Sequence, residues 1–173
     1  MALRRYLVTR VYTPQRVEAT VAESPYMFGV YASWGTKWEV LQQHYEFPDR
    51  YLYLRQGGRG RNLTFGIGGE GTGAGFHQHE QSLAEVFHGA KRWFLVPPSA
   101  TPPRWLNLDH TSLQWYRRVY PTLDAAAEGL LECVVRPGEI LFVPRGWYHS
   151  TLNLGECVFG TVDLVEATFR PHQ

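Results

Sequence analysis

Residues 64–95 read TFGIGGEGTGAGFHQHEQSLAEVFHGAKRWFL, and this stretch decides the fold. Two histidines one residue apart, His77 and His79, stand near its centre. In an extended chain alternate side chains point to one face, so both imidazoles can converge on a single metal ion. A third histidine, His149, lies in a second strand-like run, EILFVPRGWYHSTLNL, over residues 139–154. Two near ligands on one strand and a distant third on another is the spacing expected for a metal held inside a β-barrel. A ligand set with open positions points to iron-type oxygenase chemistry, although the usual carboxylate is missing.

Upstream of the histidines, GIGGEGTGAG contains Gly66-x-Gly68-x-x-Gly71, which matches a dinucleotide fingerprint as a pattern. That fingerprint needs a helix after it, so that the helix N-terminus can face a pyrophosphate. Here FHQH follows, so the stretch is read as a tight turn feeding the metal strand. Further back, Leu63 to Ile67 and Tyr51 to Leu54 read as strands separated by GGRGR, and Tyr26 to Tyr31 as a short apolar strand. Between them KWEVLQQHYEF reads as a helix with Trp38, Leu41 and Tyr45 on one face, capped by Ser33 or Thr36 and closed by Pro48. Residues 1–25 read as extended or irregular.

Downstream, Glu85 to Val96 reads as two strands broken at His88-Gly89, and PPSATPP as a rigid loop. Asp109 is the expected N-cap of HTSLQWYRRVY, with Leu113, Trp115 and Tyr116 packing and Arg117 and Arg118 exposed. Cys133 to Arg136, Pro137-Gly138 and Ile140 to Val143 read as a hairpin; Gly146 to Leu152 and Val158 to Leu164 add two strands. Many short strands with turn signals and few helices predict a mainly β fold, a double-sheet barrel of jelly-roll or cupin type.

The 173 residues suit one domain with a real core, and 44% hydrophobic with 14% aromatic residues suits a folded chain. Seventeen basic against sixteen acidic side chains, net +1, leave no electrostatic footprint for nucleic acid. No run of about 18 apolar residues calls for a membrane span, and MALRRYLVTRVYTPQ lacks the apolar core of a secretory leader. Cys133 and Cys157 form no disulfide framework; they read as buried thiols, or as one bridge if their strands are neighbours. Asn62 opens a glycosylation sequon. His44, His88, His110 and His172 are read as structural or surface histidines.

GFHQHEQSLAEVFHGAKRWFLVPP, followed by PGEILFVPRGWYHSTLNL, resembles the JmjC (jumonji C) domain of the 2-oxoglutarate oxygenases, most of all a small JmjC-only branch. The likeness runs from about Ser24 to Thr161 and includes TPPRWLNLDHTSLQWYRRVYPTL. It implies a double-stranded β-helix with a few peripheral helices, metal ligands at His77, His79 and His149, and 2-oxoglutarate as cosubstrate. It also implies a cosubstrate pocket in which Lys91 binds the far carboxylate, helped by Thr161, Asn153 and Tyr26. Ala74 and Ala84 stand where active relatives have a threonine and an asparagine. The whole chain reads as one JmjC/cupin-like domain, with residues 1–25 poorly matched and an N-terminal portion of the family domain lacking. The resembled branch implies the lumen of the endoplasmic reticulum.

Position 79 departs from the family's pattern. Most active members carry aspartate or glutamate there, whereas three neutral imidazoles leave the metal charge uncompensated. That set should favour ferrous iron and also suits zinc. Glu80 would point to the opposite face of a regular strand, so it is not expected to replace the missing carboxylate. The leading expectation is an iron(II)- and 2-oxoglutarate-dependent hydroxylase of a protein side chain. Its alternatives are a silent JmjC fold that acts through protein contacts with a structural or vestigial metal, and a three-histidine cupin dioxygenase for a small thiol or ketone.

Overall fold

The chain alternates short apolar strands with glycine- and proline-marked turns, and this pattern folds as two facing sheets. A computed structural model describes residues 26–29, 63–99 and 103–164. The strands are β1 (Tyr26–Gly29), β2 (Leu63–Gly68), β3 (Ser82–His88), β4 (Lys91–Val96), β5 (Leu131–Val135), β6 (Ile140–Val143), β7 (Tyr148–Asn153) and β8 (Cys157–Asp163). Five of them form an antiparallel sheet in the order β1-β2-β8-β3-β6, and three form a second in the order β5-β4-β7. The architecture is a double-stranded β-helix, the jelly-roll form of a barrel. The expected strand and helix within residues 33–54 lie outside the described residues.

Strand β4 shows how sequence becomes packing. Its run KRWFLV is buried on both faces, so it lacks the polar alternation of a half-exposed strand. Trp93 and Leu95 face the barrel interior, packing with Ala84, Val86 and Phe159. Phe94 and Val96 face outward onto a second apolar cluster that holds Leu113 and Trp115. Those two belong to helix α1 (Ser112–Arg118), which covers the outside of the smaller sheet. Arg92 on the same outer face donates to the Tyr116 hydroxyl at 2.8 Å and lies 3.5 Å from the Glu132 carboxylate, tying helix to sheet.

Two local readings need correction. The helix cap is Thr111, not Asp109: the Thr111 hydroxyl accepts from the Gln114 backbone N–H, and the Gln114 side chain accepts from the Thr111 N–H. This reciprocal capping box satisfies two orphan donors, which Asp109 two residues earlier cannot reach. Nor are β5 and β6 a hairpin. Strand β5 pairs with β4 and β6 with β3, so the chain crosses from one sheet to the other at residues 136–139. Gly138, at φ +85°, makes the corner, and the Glu139 carboxylate accepts from the Arg136 N–H at 2.7 Å.

Cys133 and Cys157 sit in these different sheets and both are free thiols. Among the described residues no helix is long and apolar enough to cross a membrane.

Candidate metal centre

The segment from Gly71 to His79 runs along the free edge of β7. Backbone bonds link Gly71 N–H to Asn153 O, Asn153 N–H to Thr72 O and Thr151 N–H to Ala74 O, at 3.0, 2.8 and 2.9 Å. At its end His77 and His149 exchange both backbone hydrogen bonds, at 3.0 and 2.8 Å. Only that pair forms a bridge, so the histidine segment is not the regular strand its spacing predicts. Beyond it, the Gly146 N–H to His79 O bond at 2.9 Å holds His79 beside the others. His77, His79 and His149 each present a ring nitrogen within 4.8 Å of the other two.

Ring orientation follows from hydrogen bonding. The Nδ1 atoms of His77, His79 and His149 lie 2.8, 2.6 and 3.0 Å from the carbonyls of Gly75, Glu80 and Trp147. A carbonyl only accepts, so each Nδ1 carries the proton and each Nε2 keeps a lone pair for a metal. Burial, together with neighbouring His77, pushes the His149 pKa down to about 3, and burial lowers that of His77 as well. Both rings are therefore neutral near pH 7, the form a metal requires. Ring nitrogens within 4.8 Å of one another on one cavity wall can serve a single divalent ion. The donor set fits a divalent metal.

The carboxylate of Glu80 lies 3.1 Å from Arg145 Nε at the exposed rim. Its ion pair draws it away from the histidines.

A cavity of about 260 Å³ opens from the histidines towards Lys91. That is below the roughly 300–1,000 Å³ of drug-sized sites and suits a small metabolite. Lys91 is only 1% exposed. Its ammonium donates to Asn153 Oδ1 at 2.8 Å and to the Tyr26 hydroxyl at 3.2 Å, and lies 3.8 Å from the centre of the Phe159 ring. Among the described residues no carboxylate forms an ion pair with it. Burial lowers its pKa to about 7, because an ammonium removed from water is costly. Asn153 is itself held by donating to Thr72 Oγ1 at 3.0 Å. Thr161 lines the same cavity, and across the β2–β8 ladder it faces Thr64.

The glycines of the fingerprint-like stretch serve this pocket. A Cβ at Gly66 would overlap the Phe159 ring, and one at Gly68 would overlap Thr72 and crowd Asn153. The side chains that hold Lys91 need that room. No helix follows, so no pyrophosphate cradle forms.

Residues 16–159 match the cupin-like domain family. The chain belongs to the cupin-like JmjC family. It is 43% identical over 124 residues to JmjC domain-containing protein 8 of Homo sapiens, covering 72% of this chain and 44% of that protein. It is 39% identical over 152 residues to the protein of the same name from Rattus norvegicus, covering 88% and 53%. A more distant relative is the bifunctional arginine demethylase and lysyl-hydroxylase psr-1 of Caenorhabditis briggsae, 27% identical over 138 residues, covering 69% and 35%. The chain thus spans about half the length of these two JmjC domain-containing relatives.

In this JmjC chain motif reading passed over several side chains that line the cavity, among them the polar Thr64, Ser82, Thr151 and Asp163. Their signal was the two-residue period of the strands. Phe159, Thr161 and Asp163 alternate along β8 and all reach the cavity. Asp163 is half-buried; burial pushes its carboxyl above the usual range, while His79 draws it back. Of the other histidines, His88 ends β3 exposed, and His110 lies 3.5 Å from the Asn107 amide. His44 and His172 lie outside the described residues.

Proposed function

We propose that this JmjC chain is an iron(II)- and 2-oxoglutarate-dependent oxygenase that hydroxylates a protein side chain. The observation that carries this reading is Lys91, a buried cation with no anionic partner among the described residues, at the far end of a small cavity whose other end holds three converging histidines. A buried ammonium needs an anionic partner, and the far carboxylate of a keto-diacid would supply one. Asn153 and Tyr26 orient the Lys91 ammonium, and the Thr161 hydroxyl, which lines the same cavity, would donate to the same carboxylate. Phe159 and Trp93 line the passage and exclude water. His77, His79 and His149 would hold the iron, which supplies the redox chemistry of oxygen activation when bound. A protein substrate accords with the demethylase and lysyl-hydroxylase activities in the name of the psr-1 relative.

The test is an anaerobic titration of metal-stripped protein with iron(II) and then 2-oxoglutarate. A saturable visible charge-transfer band, lost in Lys91→Ala, is the expected result. Tight metal binding without the band would overturn the cosubstrate assignment. The histidine at position 79, where active relatives have a carboxylate, favours a second reading: a silent JmjC fold that works through protein contacts. Turnover of 2-oxoglutarate by His79→Asp but not by the native chain would decide for it.

A further inference from the structure

The geometry points to Asp163 as the missing carboxylate of the metal site, and we propose that it acts from beside the ligands. With a divalent metal bound, its charge would offset that of the ion and its oxygens would accept a hydrogen bond from a water held there. This rests on the metal assignment above and deepens it.

Strand β8 puts the side chain in place. Phe159, Thr161 and Asp163 fall on one face by the strand's two-residue period, and all three line the cavity. Asp163 lies opposite Ser82 on β3, and the Ser82 side chain lines the cavity too. The Leu164 N–H to Gln81 O bond at 2.9 Å fixes the end of this ladder, so the carboxylate is set by two strands and not by a loose tail. It therefore reaches the cavity at the histidine end, whereas Lys91 occupies the other. Among the described residues no lysine or arginine forms an ion pair with Asp163.

The chemistry asks for an anion at this place. Three neutral imidazoles bring no charge to a divalent ion, and Glu80, the nearest carboxylate in sequence, is paired with Arg145 at the rim. The three histidines form the ligand cluster without Asp163, whose side chain lines the same cavity, so the carboxylate is assigned a role beside the ligands and not among them. Carboxylates one shell out raise metal affinity by orienting ligands and bound water and by balancing charge. Asp163 would thus do from β8 part of what a carboxylate at position 79 does directly.

Zinc(II) and cobalt(II) affinities, measured by chelator competition on the whole chain, test this. The set comprises the native protein, Asp163→Asn, Asp163→Ser, His79→Asp and the double variant His79→Asp/Asp163→Asn. Replacing Asp163 should weaken binding about 10- to 100-fold, leave the cobalt ligand-field bands in place, and cost less than about threefold once residue 79 is aspartate. A loss below about threefold in the native background, or an equal loss in both backgrounds, would overturn the proposal. So would altered cobalt bands, which would make Asp163 a direct ligand. Urea midpoints of both Asp163 variants separate metal effects from misfolding, and Asp163→Ser serves if the asparagine variant does not fold. If the native chain binds neither ion, the metal assignment itself falls; if it binds them and the Asp163 variants bind equally well, only this inference falls.

Discussion

Replacing Lys91 by methionine should stabilise the ligand-free protein near neutral pH while abolishing its hold on a dicarboxylate. The folded chain keeps the Lys91 pKa near 7, against 10.5 for a free lysine. Between those values the unfolded chain binds a proton that the folded chain does not, so stability rises with pH through that window. Below pH 7 the folded state bears the full cost of the buried cation. At about 1.4 kcal/mol per pH unit, that cost is on the order of 4–5 kcal/mol. Methionine removes it but strips a donor from Asn153 Oδ1 and the Tyr26 hydroxyl, a loss of about 1–3 kcal/mol. The net gain should be about 1–4 kcal/mol at pH 7 and should vanish or reverse by pH 10. Urea unfolding of both proteins at the two pH values reads this directly. A variant less stable than the native chain at pH 7 would refute the reasoning, because the cation would then be satisfied by the fold and serve structure.

The same depressed pKa gives the proposed dicarboxylate binding a pH signature. Above pH 7 the free amine is mostly neutral, so binding must take up a proton, and affinity should fall about tenfold per pH unit; calorimetry in buffers of different ionisation enthalpy would count that proton. Gly66→Ala drives a methyl into the Phe159 ring and should cost about 1–3 kcal/mol in urea unfolding; a neutral result would mean the ring moves freely. Thr111→Ala removes one half of the capping box and should cost about 1 kcal/mol, read as a lowered Tm, with no change in metal affinity. Under native conditions a thiol reagent should modify half-buried Cys133 well before buried Cys157; equal rates, followed by mass spectrometry, would contradict the packing of β8.

Much of the barrel could be read from the chain because its signals are local. The turn at Gly89 and the short β-branched and aromatic runs of β7 and β8 belong to short windows, and windows suffice for strands. The β5–β6 corner could not be read this way. A proline–glycine turn between two apolar runs looks the same whether the second strand returns to its neighbour or crosses to another sheet, and only long-range pairing decides. The helix cap was legible in principle, since Thr111 and Gln114 stand three apart as a capping box requires. The histidine spacing pointed to convergence, yet the route differed: His77 and His79 owe their positions to the edge of β7 and not to a strand of their own. Asp163 was missed because motif reading stopped at Thr161, one period short of the end of β8.

The paired peptide bonds of His77 and His149 bear on how the site comes into being. These residues stand 72 positions apart, and the two exchanged hydrogen bonds form only when both halves of the chain have met. Closing a loop of that length comes late in folding, after local turns and hairpins. The bite of the chelate is thus drawn by the main chain, and a partly assembled chain has no weaker version of it. Metal affinity and global folding should be acquired in one kinetic step, and a refolding time course followed by metal uptake should superimpose on the slowest phase of sheet formation.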